Sequence, residues 1–479
     1  MRPVLTVSEM HAIDTEAART TPLEVLVGRA GTAVALAALD LLGGAYGRRV
    51  AVVAGPGNNG ADGRVAAGIL AARGARTLIV EAGADPGQAA RALASADLVI
   101  DAAFGTGFRG EYRFPDVPRS TPVLAVDIPS GVHGDSGQAS GAPAPATATV
   151  TFVALKPGLL QGDGAGLAGA VRVVDIGLPT GRPAVAAVED ADVAALVPAR
   201  GRQGNKWSAA VLVVAGSPGM TGAAALCARA AYRAGAGMVR LGVPGAALSE
   251  SPASEAVSVS LPAEGWADRA REVASRCAAV VVGPGLGREP STAADVARLV
   301  SGSPVPVVVD ADGLYALGSL RDGPPVAAAS AVVLTPHDGE YRRLMDGDPG
   351  GDRIEAARRL ARSAGTVALL KGPTTAVAHP DGRVRLATAG TTALATAGTG
   401  DVLSGVIAAL LARGLAPLEA AALAAHVHGR AGSLGLGEGL VAGDLPELVA
   451  RVLQDLGGSG GSRGSGGSRL SSAGPGAGG

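Results

Sequence analysis

The sequence TAGTGDVLSG, residues 396–405, joins a glycine-rich turn to the start of an apolar helix. Gly398 and Gly400 leave backbone amides uncovered at the beginning of that helix, and such amides attract phosphate. Asp401 follows in the first helical turn, where it can accept a proton from an attacking hydroxyl. Asp also caps helices, so a purely structural cap is the alternative. We interpret the whole pattern as a phosphoryl-transfer site.

Similar strand, turn and helix patterns recur along the whole chain. We predict strands at residues 49–54, 77–80, 98–101, 123–128, 150–153 and 171–176 in the first half, and at 210–215, 238–243, 278–282, 305–310, 331–334 and 367–370 in the second. Short apolar strands that alternate with helices are typical of a parallel sheet with helices on both faces. The predicted fold class is α/β.

The chain contains 479 residues, more than one ordinary domain holds, because hydrophobic cores stop growing at about 250–300 residues. The alternation of strands and helices breaks between residues 181 and 204 and then resumes. We therefore predict an N-terminal domain over residues 1–198 and a C-terminal domain over residues 199–456. Residues 457–479 are rich in Gly and Ser, and we expect a disordered tail.

Composition excludes several classes of protein. The net charge of −1 provides no general attraction for nucleic acid or an acidic membrane, so we expect neither partner. Cys227 and Cys277 lie in apolar segments and are predicted to be buried thiols in a reducing compartment. The apolar segment 30–46 is interrupted by Asp40, and no basic segment precedes an apolar run near Met1. We expect a cytoplasmic protein.

Polar residues cluster at three predicted strand ends of the first half. GPGNNGADG, residues 55–63, follows one strand and opens a helix, Asp101 ends the next, and VDIPSGV, residues 126–132, follows a third. Ligands bind at the carboxyl ends of parallel strands, so the clusters should converge. Asn59, Asp101 and Ser130 offer oxygen atoms suited to a cation. Any one Asp alone would more simply cap a turn.

The second half carries supporting polar groups near the glycine-rich turn. Lys371, one of only three lysines among 41 basic residues, precedes two threonines, and this group suits the phosphates or ribose of a nucleotide. Asp310 and Asp312 lie beside the expected phosphate path, where Mg²⁺ could be held through water. A lone His is more often structural, but His337 stands at a strand end among polar residues and beside Pro336, which moves the interpretation towards a functional role.

The first-half motifs GNNGADG, AFGTGFRG and VDIPSGV resemble the NAD(P)HX epimerase domain over most of residues 1–195. The resemblance implies a Rossmann-like three-layer fold that interconverts the R and S forms of hydrated NAD(P)H at nicotinamide C6. It implies K⁺ bound by Asn59, Asp101 and Ser130, and Asp127 is the acid/base candidate. The implied substrate-binding residues are Asn58, Asn59, Gly60, Ala61, Asp62, Gly105, Thr106, Gly107, Phe108, Arg109, Gly110, Glu111 and Asp127. Ala61 stands where the family usually has Gly.

The second-half motifs VVGPGLG, VDADGL, TPHDGE, LKGPTT and AGTGDVLSG resemble the ADP/ATP-dependent NAD(P)HX dehydratase over about residues 204–456. The resemblance implies a ribokinase-like α/β fold. The implied contacts to the hydrated dinucleotide are Ala223, Gly285, His337 and Asp401. The implied contacts to the adenine nucleotide are Lys371, Gly372, Pro373, Thr374, Thr375 and Gly400. Residues 391–394, TTAL, replace a turn that is more often of Asn-Pro-Gly type.

Together the two resemblances imply a bifunctional repair enzyme. Phosphorylation of the C6 hydroxyl by ADP or ATP, with Mg²⁺, would let phosphate leave and re-form NAD(P)H. The resemblance favours ADP, but the sequence does not separate ADP from ATP or NADHX from NADPHX. We expect a homo-oligomer of unspecified size.

Two other interpretations stay open at this point. A small-molecule kinase of the ribokinase type would also carry GTGD, although it has no need for a GNNGAD module. Alternatively, the first domain could be a ligand-sensing or scaffolding module without activity, although it retains Asp101 and Asp127.

Overall fold

A computed structural model describes residues 1–199, 205–247, 253 and 255–458 of the chain. The strands are Arg2–Val4 (β1), Arg49–Ala54 (β2), Arg76–Glu81 (β3), Leu98–Ala102 (β4), Tyr112–Arg113 (β5), Val123–Val126 (β6), Gly141–Ala142 (β7), Ala148–Phe152 (β8), Ala170–Val174 (β9), Val185–Ala187 (β10), Ala210–Val214 (β11), Met238–Gly242 (β12), Val257–Val259 (β13), Ala279–Val282 (β14), Val307–Val309 (β15), Val332–Leu334 (β16), Val367–Leu370 (β17), Thr375–Ala378 (β18) and Val384–Ala387 (β19).

The helices are Val7–Ala17 (α1), Leu23–Leu42 (α2), Asn58–Ala72 (α3), Pro86–Leu93 (α4), Gly164–Leu167 (α5), Asp190–Leu196 (α6), Gly222–Arg233 (α7), Ala267–Ala274 (α8), Pro290–Gly302 (α9), Asp312–Ala316 (α10), Asp338–Met345 (α11), Arg353–Ala364 (α12), Thr399–Ala412 (α13), Pro417–Ser433 (α14) and Leu445–Gly458 (α15). Gly457 and Gly458, the first residues of the predicted tail, end α15. The rest of that predicted tail lies outside the described residues.

The strands form two large sheets, which confirms the predicted α/β class. The first sheet is parallel throughout, in the order β3-β2-β4-β6-β8-β9. The second has eleven strands, in the order β1-β10-β19-β18-β17-β16-β15-β14-β11-β12-β13, and is parallel from β17 to β13. The sequence predicts a hairpin of residues 375–379 against 383–387, and strands β18 and β19 form this antiparallel pair.

The central strands of the second sheet, β11 and β14 to β17, are buried on both faces, as their uniformly apolar sequences predict. In β11, Ala210, Leu212 and Val214 face one hydrophobic cluster, whereas Val211 and Val213 face the other. Successive side chains of a strand point to opposite faces, so helices must cover both. The carboxyl ends of the parallel strands are thus left as the open edge for a ligand.

The first strand and β10 lie in the second sheet, although both precede residue 198. Strand β10 pairs in parallel with β19, and β1 pairs antiparallel with β10. The N-terminal ammonium of Met1 also pairs with Asp192 at the start of α6. Parts of the sequence that we predict to belong to the first domain therefore complete the edge of the second sheet.

Among the described residues, α2 is the one helix whose length and apolar composition would allow it to cross a membrane. Its Ala- and Gly-rich face is buried against α3, where a Cβ on Gly31 would lie 2.6 Å from Cβ of Val65. It begins seven residues before the apolar segment seen in the sequence. Here α2 is a packed helix of the first domain's hydrophobic core.

Helix α13 packs closely against α7 because glycine lies at their contact. A Cβ on Gly405 would stand 2.3 Å from the carbonyl oxygen of Cys227 and 3.0 Å from Cβ of Ala230. Helix α13 is almost completely buried from Val402 to Ala412. The position of its first turn thus depends on this close approach to α7.

We expect Gly405→Ala to lower the free energy of unfolding by roughly 1–3 kcal/mol, because the added methyl group overpacks the contact between α13 and α7. Equilibrium denaturation in urea measures the change. Gly222→Ala is the matched control, since no atom lies within 4 Å of a Cβ at the first residue of α7. Equal stability of the two variants would contradict the packing argument.

Candidate active sites

The first candidate site is a cavity of about 510 Å³ at the carboxyl ends of β2, β4 and β6. Eight predicted residues line it: Asn58, Asn59, Asp62, Gly105, Thr106, Gly107, Phe108 and Asp127. Gly60, Ala61, Arg109, Gly110 and Glu111 do not belong to its lining. Apolar side chains from α2 close the opposite wall, which gives the cavity one polar and one apolar side.

The sequence predicts a helix over residues 62–73, whereas α3 begins at Asn58, four residues earlier. Its capping position is Gly57, which offers no side-chain acceptor to the first amides. A Cβ on Gly60 would lie 1.9 Å from the carbonyl oxygen of Gly55, so this turn requires glycine. The predicted binding loop is therefore an open helix N-terminus, which suits an anionic group.

Asp127 follows β6 with a φ of 67°, a left-handed backbone conformation that a non-glycine residue rarely adopts. Its Oδ1 accepts hydrogen bonds from Lys156 Nζ at 2.8 Å and Thr151 Oγ1 at 3.1 Å. Its Oδ2 accepts one from the amide of Thr106 at 3.2 Å. Burial raises the pKa of Asp127, but Lys156 and the other donors bring it below the usual value. Asp127 is therefore an ionised carboxylate beside the cavity.

Two more carboxyl groups line the same cavity. Burial, and then the charge of Asp127, raises the pKa of Asp62 to about 8. The same two causes raise the pKa of Asp14, which α1 contributes. Asp62 is thus protonated at neutral pH while Asp127 is ionised, and the cavity holds a proton donor and a proton acceptor together.

Asp101 and Ser130, two of the predicted potassium ligands, form a buried cluster behind the cavity. The Ser130 hydroxyl donates to Asp101 Oδ1 at 2.5 Å, and the Ser130 amide donates to Oδ2 at 2.8 Å. Burial raises the pKa of Asp101 to about 6, and it forms no ion pair with any described residue. The third predicted ligand, Asn59, lines the cavity; its buried Nδ2, a hydrogen-bond donor rather than a cation ligand, has no partner among the described residues. A buried carboxylate without a counter-charge fits a monovalent cation.

The second candidate site surrounds the start of α13. The helix begins at Thr399, and its capping residue Gly398 has a φ of 90° and provides no side-chain cap. The segment Thr392–Leu394, where the chain departs from the family's usual turn, forms a short 3₁₀ helix, and the Leu394 carbonyl accepts the Thr399 hydroxyl at 2.9 Å. The first-turn amides of α13 thus have no side-chain acceptor, and they lie beside Asp401.

The partly buried Lys371 and the buried Asp310 form an ion pair next to this helix start. Lys371 Nζ lies 2.9 Å from Asp310 Oδ1, and the Ser404 hydroxyl donates to Asp310 Oδ2 at 2.8 Å. A Cβ on Gly400 would be 3.3 Å from Lys371 Nζ. Burial lowers the pKa of Lys371, but Asp310 and Glu340 raise it above the usual value, so the ammonium keeps its charge.

Asp401 lies in this group of charges without an ion pair among the described residues. Burial, and then the charge of Asp310, raises the pKa of Asp401 to about 7, against the lowering effect of Lys371. A carboxylate with this pKa is a suitable general base near neutral pH. The role of Asp401 as that base stays a prediction.

The other predicted residues of the second site occupy different positions. A Cβ on Gly285 would lie 3.3 Å from Cβ of Ala223, so these two residues are neighbours. His337 caps α11 through Nδ1, and its side chain is 60% exposed. The Thr374 hydroxyl donates to the Leu160 carbonyl of the first domain, so its hydrogen is not available to a nucleotide.

Sequence reasoning missed Asp14 and assigned no role to Lys156, which is 1% exposed in the wall of the first cavity. The scarcity of lysine was the available signal for Lys156. Asp312 is held by Arg288 and by the Gly287 amide. In the described part of the chain, no group of three His, Cys, Asp or Glu side chains is arranged to hold a metal ion.

Comparisons with known proteins agree with this architecture. Residues 211–455 match the NAD(P)H-hydrate dehydratase family, and residues 23–158 match the YjeF-related protein N-terminus family. The bifunctional NAD(P)H-hydrate repair enzyme Nnr of Salinibacter ruber is 37% identical over 96% of this chain and 97% of its own length. The enzyme of the same name from Mycobacterium leprae is 37% identical over 95% of this chain and 98% of its own.

Among solved structures, a ribokinase-like superfamily protein from Enterococcus faecalis superposes with a TM-score of 0.51 at 20% identity, over 57% of this chain and 96% of its own. This likeness supports the ribokinase-like fold of the second domain. With relatives of this identity along almost its whole length and a recognised family in each half, the chain belongs to the family of bifunctional NAD(P)H-hydrate repair enzymes.

Proposed function

We propose that this chain repairs hydrated NADH and NADPH in two steps. The first site interconverts the R and S hydrates, and the second dehydrates the S form with ADP or ATP as co-substrate. The observation that carries the proposal is the position of Asp401, which combines a pKa of about 7 with an open helix N-terminus and the neighbouring Lys371. Domains of residues 1–198 and 199–456 would carry the two activities.

In the dehydration step, Asp401 takes the proton of the C6 hydroxyl as the hydroxyl oxygen attacks the terminal phosphoryl group of the nucleotide. The terminal P–O–P bridge breaks, and AMP leaves when ADP is the donor or ADP leaves when ATP is the donor. The first-turn amides of α13 and the ammonium of Lys371 stabilise the negative charge on the phosphoryl oxygens. Phosphate then leaves C6, a proton leaves C5, and the C5=C6 double bond re-forms. Phosphorylation is required because hydroxide is a poor leaving group.

Mg²⁺ would enter this site on the nucleotide phosphates, where it supplies positive charge. Asp310 and Asp312 are already paired with Lys371 and Arg288, but their oxygens keep free lone pairs. They would hold the ion through water. The backbone of residues 372–375 and the Thr375 hydroxyl, whose oxygen can still accept a hydrogen bond, would contact the nucleotide, with Gly400 beside them.

In the epimerisation step, Asp127 takes the proton of the C6 hydroxyl while Asp62 gives its proton to the ring nitrogen. The C6–N1 bond breaks as a C6 carbonyl forms, and rotation about C5–C6 lets the ring close on the other face with both protons returned. K⁺ held by Asn59, Asp101 and Ser130 would supply a positive charge beneath the helix start of α3. The anionic dinucleotide would then lie against the open amides of that helix.

Purified protein incubated with S-NADHX and either ADP or ATP tests the proposal directly. We expect absorbance of reduced nicotinamide to appear only with nucleotide. Accumulation of a stable phosphorylated product without NADH would instead indicate a small-molecule kinase. The same assay with NADPHX establishes the preferred dinucleotide.

We expect Asp401→Asn to lower nucleotide-dependent NADH formation by at least about 100-fold, because the general base is lost. Calorimetry should show that ADP or ATP still binds. Asp322→Asn, whose side chain is 92% exposed, is the matched control and should behave as the unmodified chain. Near-normal turnover of Asp401→Asn would remove Asp401 from its role.

We expect Asp127→Asn to abolish repair of the R hydrate and to spare repair of the S hydrate, because only the first site uses Asp127. Separate assays with the two epimers measure the effect. If dehydration of the S form also stopped in a folded protein, the two sites would not be independent.

We expect the R-to-S rate, corrected for the spontaneous reaction, to fall above about pH 8. The pKa of Asp62 is raised to about 8, so the carboxyl group is protonated below that pH and loses its proton above it. Asp62→Asn cannot lose this proton, and its low residual rate should lack the decline. An unchanged decline in Asp62→Asn would assign it to another group.

A further inference from the structure

Lys156 is a buried cation that the epimerisation step described above does not use. It lies four residues after the end of β8, and its side chain is 2% exposed. Its ammonium donates to three acceptors, each at 2.8 Å: Asp127 Oδ1, Thr151 Oγ1 and the Phe152 carbonyl. All three N–H groups are therefore used, which fixes the position of the charge.

The two oxygens of the Asp127 carboxylate have different hydrogen-bond partners. Oδ1 accepts from Lys156 and Thr151, so both of its lone pairs are occupied. Oδ2 accepts one described hydrogen bond, from the Thr106 amide, and retains a lone pair. Since Thr106 and Gly105 line the cavity, the free lone pair lies at the cavity wall.

The same cavity has an excess of acidic groups. Asp14, Asp62 and Asp127 all line it, and Lys156 is the one lysine among the lining residues. Three carboxyl groups in a partly closed space repel one another when ionised, so at most one is readily kept as an anion. The contact with Lys156 selects Asp127 as that anion.

We propose that Lys156 is a positioning residue of the epimerase site, which holds the Asp127 carboxylate through Oδ1 and leaves Oδ2 directed to the reacting hydroxyl group. This inference rests on the proposed epimerisation. Lysine suits the position better than arginine because its compact ammonium places three donors around one point, in a space closed on every side. Loss of Lys156 would leave Asp127 free to rotate or to take up a proton.

The test compares Lys156→Ala with the unmodified full-length chain in assays of R-to-S conversion. We expect kcat to fall roughly 100-fold, the scale of a lost acid/base group, while KM changes little. Methylammonium added to the variant should restore part of kcat, since it can occupy the vacated space beside Asp127. Tetramethylammonium at equal ionic strength is too large and should not.

Lys206→Met is the matched control, because Lys206 is an exposed lysine of the same chain. Dehydration of the S hydrate by Lys156→Ala reports whether the second domain is intact. Normal kcat in Lys156→Ala would overturn the proposal. A loss that methylammonium does not relieve would also overturn it, because Lys156 would then serve only to stabilise the domain.

The test also separates this inference from the proposed function. If the unmodified chain does not interconvert the two hydrates, the epimerase function fails and the role of Lys156 fails with it. If the unmodified chain interconverts them and Lys156→Ala matches it, the role of Lys156 fails alone.

Discussion

Both candidate sites depend on helices whose first amides have no capping side chain. Helices α3 and α13 have glycine at the capping position, whereas α1, α4, α11 and α12 are capped by the side chains of Thr6, Asp85, His337 and Asp352. A glycine at this position provides no side-chain cap, so the first amides of the helix stay available to another hydrogen-bond acceptor. The helices are held instead by packing, as at Gly405 and Gly63, where a Cβ would lie within 2.5 Å of a neighbouring atom. Close packing along these two helices therefore stabilises them although their first amides have no side-chain cap.

The sequence predicts the elements whose own residues determine them. Strand β11 is apolar at every position, and both sheet faces bury it, so local pattern and tertiary environment agree. Strands β1 and β10 have three residues each, and β10 acquires its partner from β19, almost 200 residues later. No local pattern can show such a pairing. The early start of α3 is missed for a related reason, because Asn and Gly in its first turn are more typical of loops.

Contacts between the two domains converge beside the proposed nucleotide site. Gln161 Oε1 accepts the amide of Arg353 at 3.1 Å and thereby caps α12, and the Thr374 hydroxyl reaches Leu160. The guanidinium of Arg353 in turn donates to the Lys371 carbonyl at 2.5 Å. The segment 371–375 is thus fixed partly by the first domain. Removal of that domain would leave Thr374 and the first amides of α12 without these partners.

The two sites share one electrostatic arrangement. Each contains a lysine paired with one carboxylate: the buried Lys156 with Asp127, and the partly buried Lys371 with Asp310. Each also contains a second buried carboxyl group whose pKa is raised to between 7 and 8. The charge of the paired carboxylate contributes to that increase, so the ion pair prepares its neighbour to exchange a proton near neutral pH. Two of the chain's three lysines serve these pairs in a sequence that otherwise uses arginine. Because arginine would present a larger planar group to Asp127, the lysine at the fully buried position 156 follows from the size of that space as well as from charge.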